Sequence, residues 1–233
     1  MVPEKIIKDT SAPLPMGYAE SKFIAENILD YASKQEKLKN VDLKVARVGQ
    51  IAGPAHTSGV WNKSEWMPSM VVTSFHMGFI PSDLGSEKMK LDWVPIDILS
   101  SSLVDISFNK VPDSNIRVFH PVNQSPTTWA TLLSAILKTL NASSPKDRPA
   151  VTPIPYGTWL QKLRETAREN ALSKSMELQE ILAKYPAIKL LDFFENLPGT
   201  AWSEKDVTEA LNASEHLANL KGIEALFSGV SRC

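Results

Sequence analysis

Apolar residues recur at helical spacing in several segments of the chain. The most regular stripe follows Ser125-Pro126, a pair typical of a helix start, and its members are Trp129, Leu132, Leu133, Ile136, Leu137 and Leu140. A second periodic segment predicts a helix over Tyr18–Leu38. Further helices are predicted over 70–77, 159–169, 175–183, 188–197 and 204–211, and one that enters through Asp97 as its N-cap.

Two short runs are apolar on both faces, as strands inside a parallel sheet are. They are Leu43–Val48 and Asn115–His120, and Val151–Ile154 predicts a third strand. The segment Gly49–Pro68 is rich in Gly, Pro, Ser, Asn and Trp, which predicts a long loop. Loops of this length in compact domains usually carry function.

The order of these elements predicts an α/β fold. Strands and helices alternate over residues 1–125, and the remainder, 126–233, is mostly helical. Two or three strands are few for a parallel sheet with helices on both faces. We therefore expect the front half of the sheet to lie outside this sequence.

Composition narrows the function classes. The formal net charge of the 233 residues is −1, so neither nucleic acid nor an anionic membrane is an expected partner. No apolar run is long enough to span a bilayer, and the N-terminus lacks the apolar core of a signal peptide. Cys233 is the only cysteine, which fits a reducing, cytoplasmic location. The four histidines have no metal-ligand spacing, so no metal site is expected.

The most informative chemistry lies in the segment 17–22, Gly-Tyr-Ala-Glu-Ser-Lys. Tyr18 and Lys22 stand four residues apart, which places them on one face of a helix. A tyrosine phenol ordinarily titrates near pH ~10, and a neighbouring ammonium favours the phenolate. Such a pair can exchange a proton with a substrate oxygen. On its own, however, this spacing is more often a surface helix start with a solvated lysine.

Further motifs give the pair a context. It is followed by Ala25-Glu26, Arg47-x-Gly-x-Ile-x-Gly-Pro54, Trp61-Asn62, Glu65-Trp66 and Asp92-Trp93-x-Pro-x-Asp97. In this order the motifs resemble extended short-chain dehydrogenases/reductases. More narrowly, they resemble the thioester-reductase domains of nonribosomal-peptide-synthetase-like and carboxylic-acid-reductase-like enzymes. The resemblance implies the C-terminal portion of a Rossmann-like parallel sheet over 1–125 and a mostly helical substrate-binding subdomain over 126–233.

The resemblance also implies roles for single residues. Tyr18 and Lys22 match the catalytic pair and also contact the cofactor, NADP, whose nicotinamide end is lined by Gly49, Gln50 and Ile51. Independently, ligands in open α/β sheets bind beyond the carboxyl ends of the strands, where this loop begins. Members of the family reduce an acyl thioester on the phosphopantetheine arm of a carrier protein and release an aldehyde or an alcohol.

Two tryptophans in the long loop leave two interpretations open. Trp61 and Trp66 either line a channel for the acyl group or the phosphopantetheine arm, or they cap the loop onto the core. As substrate-binding candidates they complete the predicted site.

The sequence departs from the family pattern in two places, and these departures leave alternative functions open. The sequence contains no Gly-x-x-Gly-x-x-Gly turn, and Thr10 and Ser11 lack the strand context of the family's catalytic hydroxyl, so that role is not assigned to them. We therefore expect the missing N-terminal half of the reductase domain to be a partner. A nucleotide-sugar epimerase or dehydratase uses the same tyrosine and lysine, and a non-catalytic truncated module is the other alternative. The segments Trp61–Trp66 and Asp92–Asp97 favour the reductase.

Overall fold

The computed structural model describes residues 1–38, 40–56, 59–85, 90–110, 116–142, 148–172, 177–197, 205–220 and 223. Its α-helices in these ranges are α1 Gly17–Ser33, α2 Trp66–Met77, α3 Ile96–Phe108, α4 Trp129–Ala142, α5 Tyr156–Leu172, α6 Leu178–Lys184, α7 Leu191–Asn196, α8 Thr208–Ala213 and α9 Glu215–Ala218. The strands are β1 Leu43–Ala46, β2 Ile51–Ala52, β3 Phe79–Pro81, β4 Lys90–Leu91, β5 Val94–Pro95, β6 Ile116–Phe119, β7 Thr127–Thr128 and β8 Thr152–Ile154. Two 3₁₀ turns cover Glu36–Leu38 and Pro186–Leu190.

Parallel strand pairs confirm the α/β class. Strand β1 pairs with β6 in parallel, from Leu43 opposite Ile116 to Ala46 opposite Phe119. Strand β3 pairs in parallel with β8, whereas β4 and β7 are antiparallel. Parallel neighbours require a crossover connection, and helices lie between the paired strands in the sequence.

The described residues group by contact into two compact units. The first unit consists of Met1–Ile51, Asp92–Ser125 and Ser203–Lys221, and the second of Ala52–Leu91, Pro126–Trp202 and Gly222–Cys233. The grouping therefore takes residues 52–91 into the second unit and 203–221 into the first. A domain boundary at residue 125 stays a prediction.

The first unit has its core between α3, β6 and the last two helices. The buried apolar residues there are Val94, Leu99, Ile106, Phe119, Ala210 and Leu217. Leu99, Leu103 and Ile106 recur at helical spacing, so α3 turns one apolar face towards this core.

Helix α1 differs, because its apolar stripe faces solvent. Ile24 is 56% exposed and Ile28 61%, and the buried residues of the helix are Asp30 and Ser33. The polar side of α1 is therefore the side that attaches to the rest of the unit.

The second unit is built around large aromatic side chains. Trp159 of α5 is fully buried, and its indole N–H donates to Ser74 Oγ at 2.9 Å. The hydroxyl of Tyr156 donates to the carbonyl of Phe194 at 2.6 Å. Trp129 and Leu132 of α4 are also buried, as the stripe on that helix predicts. Helix α2 ends at Gly78, whose φ of 79° is the left-handed conformation that favours glycine.

Several element boundaries differ from the sequence-based expectation. The helix expected over Tyr18–Leu38 ends at Ser33, because the polar residues that follow offer no apolar face to bury. The expectation that Asp97 is an N-cap is wrong: Pro95 holds that position and Asp97 lies in the first turn of α3. The helix expected over 188–197 is divided into a 3₁₀ turn and α7.

The remaining differences concern starts and short elements. The expected first residue of one strand, Asn115, and those of two helices, Ser175 and Glu204, lie outside the described residues. Strand β3 and helix α9 were not predicted, because three or four residues carry too little periodicity. Within the described part of the chain, no helix combines the length and the hydropathy needed to span a bilayer.

Candidate functional site

The first two turns of α1 present the predicted tyrosine and lysine to solvent. The helix begins after Met16, whose backbone is extended, and Tyr18 is 71% exposed. The ammonium of Lys22 lies 5.4 Å from the centroid of the Tyr18 ring, within the range of a cation–π contact. The expected shared face is therefore observed, and both groups are accessible to a ligand. Their catalytic role stays a prediction.

Neither of the nearby hydroxyl residues lies in a strand. Thr10 and Ser11 form an exposed turn, and Ser11 donates from its N–H and its hydroxyl to Asp9 Oδ1 at 2.9 and 2.7 Å. An aspartate that bonds two residues ahead is a common turn feature. The geometry gives no reason to assign either residue a catalytic role.

The loop predicted to meet the nicotinamide end follows directly on β1. Gly49, Gln50 and Ile51 are each partly exposed. The carbonyl of Gln50 accepts the N–H of Val94 at 3.1 Å, which fixes the middle of the loop. A Cβ on residue 49 would lie 2.9 Å from Val122 Cγ1, so glycine is required there by close approach.

We expect Gly49→Ala to destabilise the protein by about 1–3 kcal/mol, because the added methyl group overpacks a β-branched neighbour that is itself buried. Gly17→Ala is the matched control, since a Cβ at that helix start meets nothing within 4 Å. Denaturant unfolding measures both. Val122→Ala removes buried methyl groups and is measured as well; the double variant Gly49→Ala/Val122→Ala should lose less than the sum of the two single losses, and additive losses would contradict the clash as the cause.

The described contacts of segment 92–97 hold its backbone and side chains within the fold. Asp92 forms an ion pair with Lys205 at 2.7 Å, and its carbonyl accepts the N–H of Asn123 at 2.9 Å. Asp97 Oδ1 accepts the N–H of Ile98 at 3.0 Å in the first turn of α3. These contacts are those of a turn and a helix start.

A polar network lies at the ends of β1 and β6, and no pattern in the sequence predicted it. The buried carboxylate of Glu4 accepts backbone N–H groups from His120 at 2.6 Å, Glu209 at 2.5 Å and Ala210 at 3.2 Å. Burial nevertheless raises the pKa of Glu4, against these hydrogen bonds, which lower it. Arg47 belongs to the quoted motifs, but Glu4 has no sequence signal, because its partners stand 116 to 206 residues away.

His120 is buried and neutral in this network. Its Nε2 lies 3.2 Å from a guanidinium nitrogen of Arg47, which can only donate, so Nε2 accepts and Nδ1–H donates to the carbonyl of Asp206 at 2.6 Å. Burial lowers the pKa of His120, and the charges of Arg47 and Lys205 lower it further, against the Asp206 hydrogen bond.

This lowered pKa predicts a loss of stability in acid. The unfolded histidine binds a proton below pH ~6.5 while folded His120 stays neutral, so the contribution is complete above that pH. It is lost as the pH falls towards the folded pKa, with a slope of at most about 1.4 kcal/mol per pH unit. His120→Gln should flatten the pH dependence of the free energy of unfolding below pH ~6.5. Burial lowers the pKa of His76 too, but His76 is present in both proteins.

The exposed His56→Gln serves as the control and should leave the slope unchanged. Denaturant titrations at a series of pH values provide the measurement. If the free energy of unfolding depended on pH equally in His120→Gln and in the unchanged protein, His120 would not be the source of the stability lost in acid.

The two candidate substrate tryptophans lie in the second unit. Trp61 packs on Gly53, where an added Cβ would lie 3.3 Å from the Trp61 Cβ. Trp66 is the first residue of α2, and its ring lies 5.7 Å from that of Phe193, tilted by 40°. Phe193 is 40% exposed. Trp66 and Phe193 thus form a partly exposed aromatic surface, while Trp61 packs against another residue of its own loop.

The residues of the first unit fit one end of a nicotinamide nucleotide. Lys22 is an exposed donor that can meet ribose hydroxyls, and the loop 49–51 offers backbone groups beside a strand end. The sequence has no glycine-rich phosphate turn. Lys22 and the loop 49–51 are therefore the described residues that suit the nicotinamide and its ribose.

The chain is similar in sequence to parts of several reductases. Residues 1–103 match the family described as male sterility protein, a family of NAD-binding domains. A carboxylic acid reductase of Neurospora crassa is 34% identical over 207 residues, which are 88% of this chain and 17% of that enzyme. An adenylate-forming reductase of Heterobasidion annosum is 29% identical, over 87% of this chain and 17% of that protein.

Solved structures share the fold. The terminal R domain of the myxalamid PKS-NRPS pathway has a TM-score of 0.69 at 20% identity, over 99% of this chain and 52% of that domain. The R domain of a nonribosomal peptide synthetase of Mycobacterium tuberculosis has a TM-score of 0.53 at 16% identity, over 90% of this chain and 51% of that one. The chain thus spans about half of these solved chains and 17% of the curated relatives above. Residues 1–103 are thus similar to the family described as male sterility protein, and the chain is similar in sequence to part of a carboxylic acid reductase.

Proposed function

We propose that this chain contributes the tyrosine–lysine pair and the substrate-binding subdomain of an NADPH-dependent thioester reductase. The observation that carries the proposal is the accessible pair Tyr18 and Lys22 on one face of α1, in a chain homologous to carboxylic acid reductases. The substrate is an acyl group held as a thioester on the phosphopantetheine arm of a carrier protein. The product is an aldehyde, or an alcohol after a second reduction.

Bound NADPH would supply a hydride to the thioester carbonyl carbon. Tyr18 would donate its phenolic proton to the carbonyl oxygen as negative charge develops there. The ammonium of Lys22 next to the ring would stabilise the phenolate left behind and hold a ribose hydroxyl. The loop 49–51 would hold the nicotinamide ring beside this pair. Loss of the thiol from the reduced carbon gives the aldehyde, so one NADPH and one proton are consumed per aldehyde.

The second unit supports an apolar acyl substrate. Trp66 and Phe193 together expose aromatic surface beside the start of α2. Aromatic rings in such positions favour flat, apolar ligands through stacking and burial. We propose that Trp66 contacts the acyl group and that Trp61 shapes the same loop.

The relatives favour this reaction over the alternatives. A nucleotide-sugar epimerase or dehydratase would use the same tyrosine and lysine, but the relatives described above are reductases by name. The same names favour an enzyme over a non-catalytic module.

The test uses this chain fused to the N-terminal half of the reductase domain of the Neurospora crassa relative, called here the joined reductase. An aromatic acyl thioester of phosphopantetheine serves as substrate, and a short linear acyl thioester is compared with it. Nicotinamide absorbance follows turnover with NADPH or NADH, and mass spectrometry identifies the aldehyde. We expect NADPH-dependent aldehyde formation. A joined reductase that binds NADPH and forms no aldehyde would reject the proposed function.

Nucleotide binding by the isolated chain gives a second test. The fluorescence of NADPH in a titration with the 233-residue chain should show weak binding, because the sequence offers no phosphate-binding turn. Micromolar binding by the isolated chain would show that the diphosphate is held by residues of this chain.

A further inference from the structure

Helix α1 is attached to its unit through polar contacts. Its buried residues are Asp30 and Ser33, while Ile24 and Ile28 point to solvent. Asp30 pairs with Lys8 and Lys34. Polar contacts, ion pairs among them, therefore have a large share in setting the position of this helix.

One arginine has all five of its guanidinium donors engaged. Arg47 Nε and Nη2 donate to the two carboxylate oxygens of Glu26 at 2.9 and 2.6 Å. Nη2 also donates to the carbonyl of Lys5 at 3.0 Å. Nη1 donates to the carbonyl of Pro3 and to His120 Nε2, each at 3.2 Å. A guanidinium has five N–H donors, so Arg47 has no spare donor for a ligand.

The backbone of Arg47 is fixed to the sheet. Its N–H donates to the carbonyl of Phe119 at 2.9 Å, which continues the pairing of β1 with β6. Two residues later Gly49 lies against Val122, and Gln50 then accepts the N–H of Val94. The chain that leads into the loop 49–51 is therefore held in place at Arg47.

The partner carboxylate lies on the helix that carries the proposed catalytic pair. Glu26 follows Lys22 by four residues and Tyr18 by eight, so the three occupy successive turns of α1. The side chains of Arg47 and Glu26 are 19% and 18% exposed, and their contact is bidentate. A bidentate pair fixes direction as well as distance.

We propose that Arg47 is a positioning residue that sets the distance between the Tyr18–Lys22 pair and the loop 49–51. The inference rests on the proposed function for its kinetic consequence, because Arg47 itself meets neither substrate nor cofactor. A loose contact between Arg47 and Glu26 would let α1 move relative to the loop. Displacement of reacting groups by about 1 Å can lower a rate by about 10²-fold.

Arg47→Lys in the joined reductase is the first test. Lysine keeps the charge but cannot form the bidentate contact. We expect kcat to fall by about tenfold to a hundredfold, with a smaller change in the KM of the thioester. Glu26→Gln breaks the same contact from the other side and should give the same pattern if Arg47→Lys folds poorly.

Arg164→Lys is the matched control. Arg164 contacts Glu195 through Nε and Nη2 at 2.9 and 2.7 Å, in the second unit. The control should keep kcat within about twofold, as expected for a partly exposed ion pair. A kcat of Arg47→Lys within the same range would overturn the proposal. So would a fall in kcat that only reflects a smaller folded fraction, measured by thermal unfolding of the same samples.

Amide exchange on the 233-residue chain separates this inference from the proposed function. Arg47→Lys should speed exchange in peptides covering 17–26 and 48–53 relative to the unchanged chain, and Arg164→Lys should not. Equal exchange in both regions would overturn the positioning role. If the joined reductase showed no turnover at all, the proposed function would fail, and the exchange result would still decide whether Arg47 holds α1 and the loop together.

Discussion

Tyr18→Phe should lower the kcat of the joined reductase by about 10²–10⁴-fold, the usual range for loss of a general acid. The change removes one oxygen from a side chain that is 71% exposed, so the fold has no buried contact to lose. Binding of NADPH should stay within a few-fold, because Lys22 and the loop 49–51 remain. Stopped-flow measurement of nicotinamide oxidation with the aromatic acyl thioester gives kcat and KM.

Tyr31→Phe is the matched control for this loss. Tyr31 lies on the same helix and is 69% exposed, but it has no lysine four residues later. We expect turnover of Tyr31→Phe to equal that of the unchanged enzyme. Near-full turnover of Tyr18→Phe would show that another group donates the proton.

Trp159→Ala should destabilise the second unit by about 3–5 kcal/mol, the cost observed when a buried large aromatic side chain is removed. The side chain is fully buried, and its ring centroid lies 5.2 Å from that of Phe194. Its indole N–H donates a hydrogen bond to Ser74 Oγ. The substitution leaves a cavity and an unpaired hydroxyl. Guanidinium unfolding followed by circular dichroism, with amide exchange in α5, measures the loss.

Two substitutions calibrate this effect. Trp159→Phe keeps most of the apolar area and should cost about 1–3 kcal/mol, mainly through the lost hydrogen bond to Ser74. Trp66→Ala removes a tryptophan that is partly exposed and should cost less than Trp159→Ala. Equal losses at positions 66 and 159 would mean that burial of Trp159 does not stabilise the unit as the structure indicates.

Local sequence patterns predicted those helices and strands whose geometry depends on residues close together in the sequence. The stripe beginning at Trp129 predicted α4 and its buried face, and the apolar runs predicted the strands β1 and β6. The four-residue spacing of Tyr18 and Lys22 placed both on one face of α1. In each case the geometry follows from helix or strand period alone.

Periodicity did not predict which face of α1 is covered. Ile24 and Ile28 share a face by their spacing, but only the surrounding structure shows that this face is exposed. The contacts of Glu4 and Arg47 could not be predicted for a related reason, because a hydrogen bond to a distant backbone group leaves no pattern in the sequence. The division of the chain into units likewise depends on long-range contacts.

The carboxylate of Glu4 has a consequence for how the chain folds as it is synthesised. Its acceptor contact with the N–H of Glu209 closes a loop of 205 residues. Ribosomes add about 5–20 residues per second, so the start of the chain waits roughly 10–40 s for this partner. Over that interval the residues that α8 and α9 later cover have no native neighbour to bury them. Within these 233 residues, the first unit is therefore the part whose native contacts take longest to complete during synthesis.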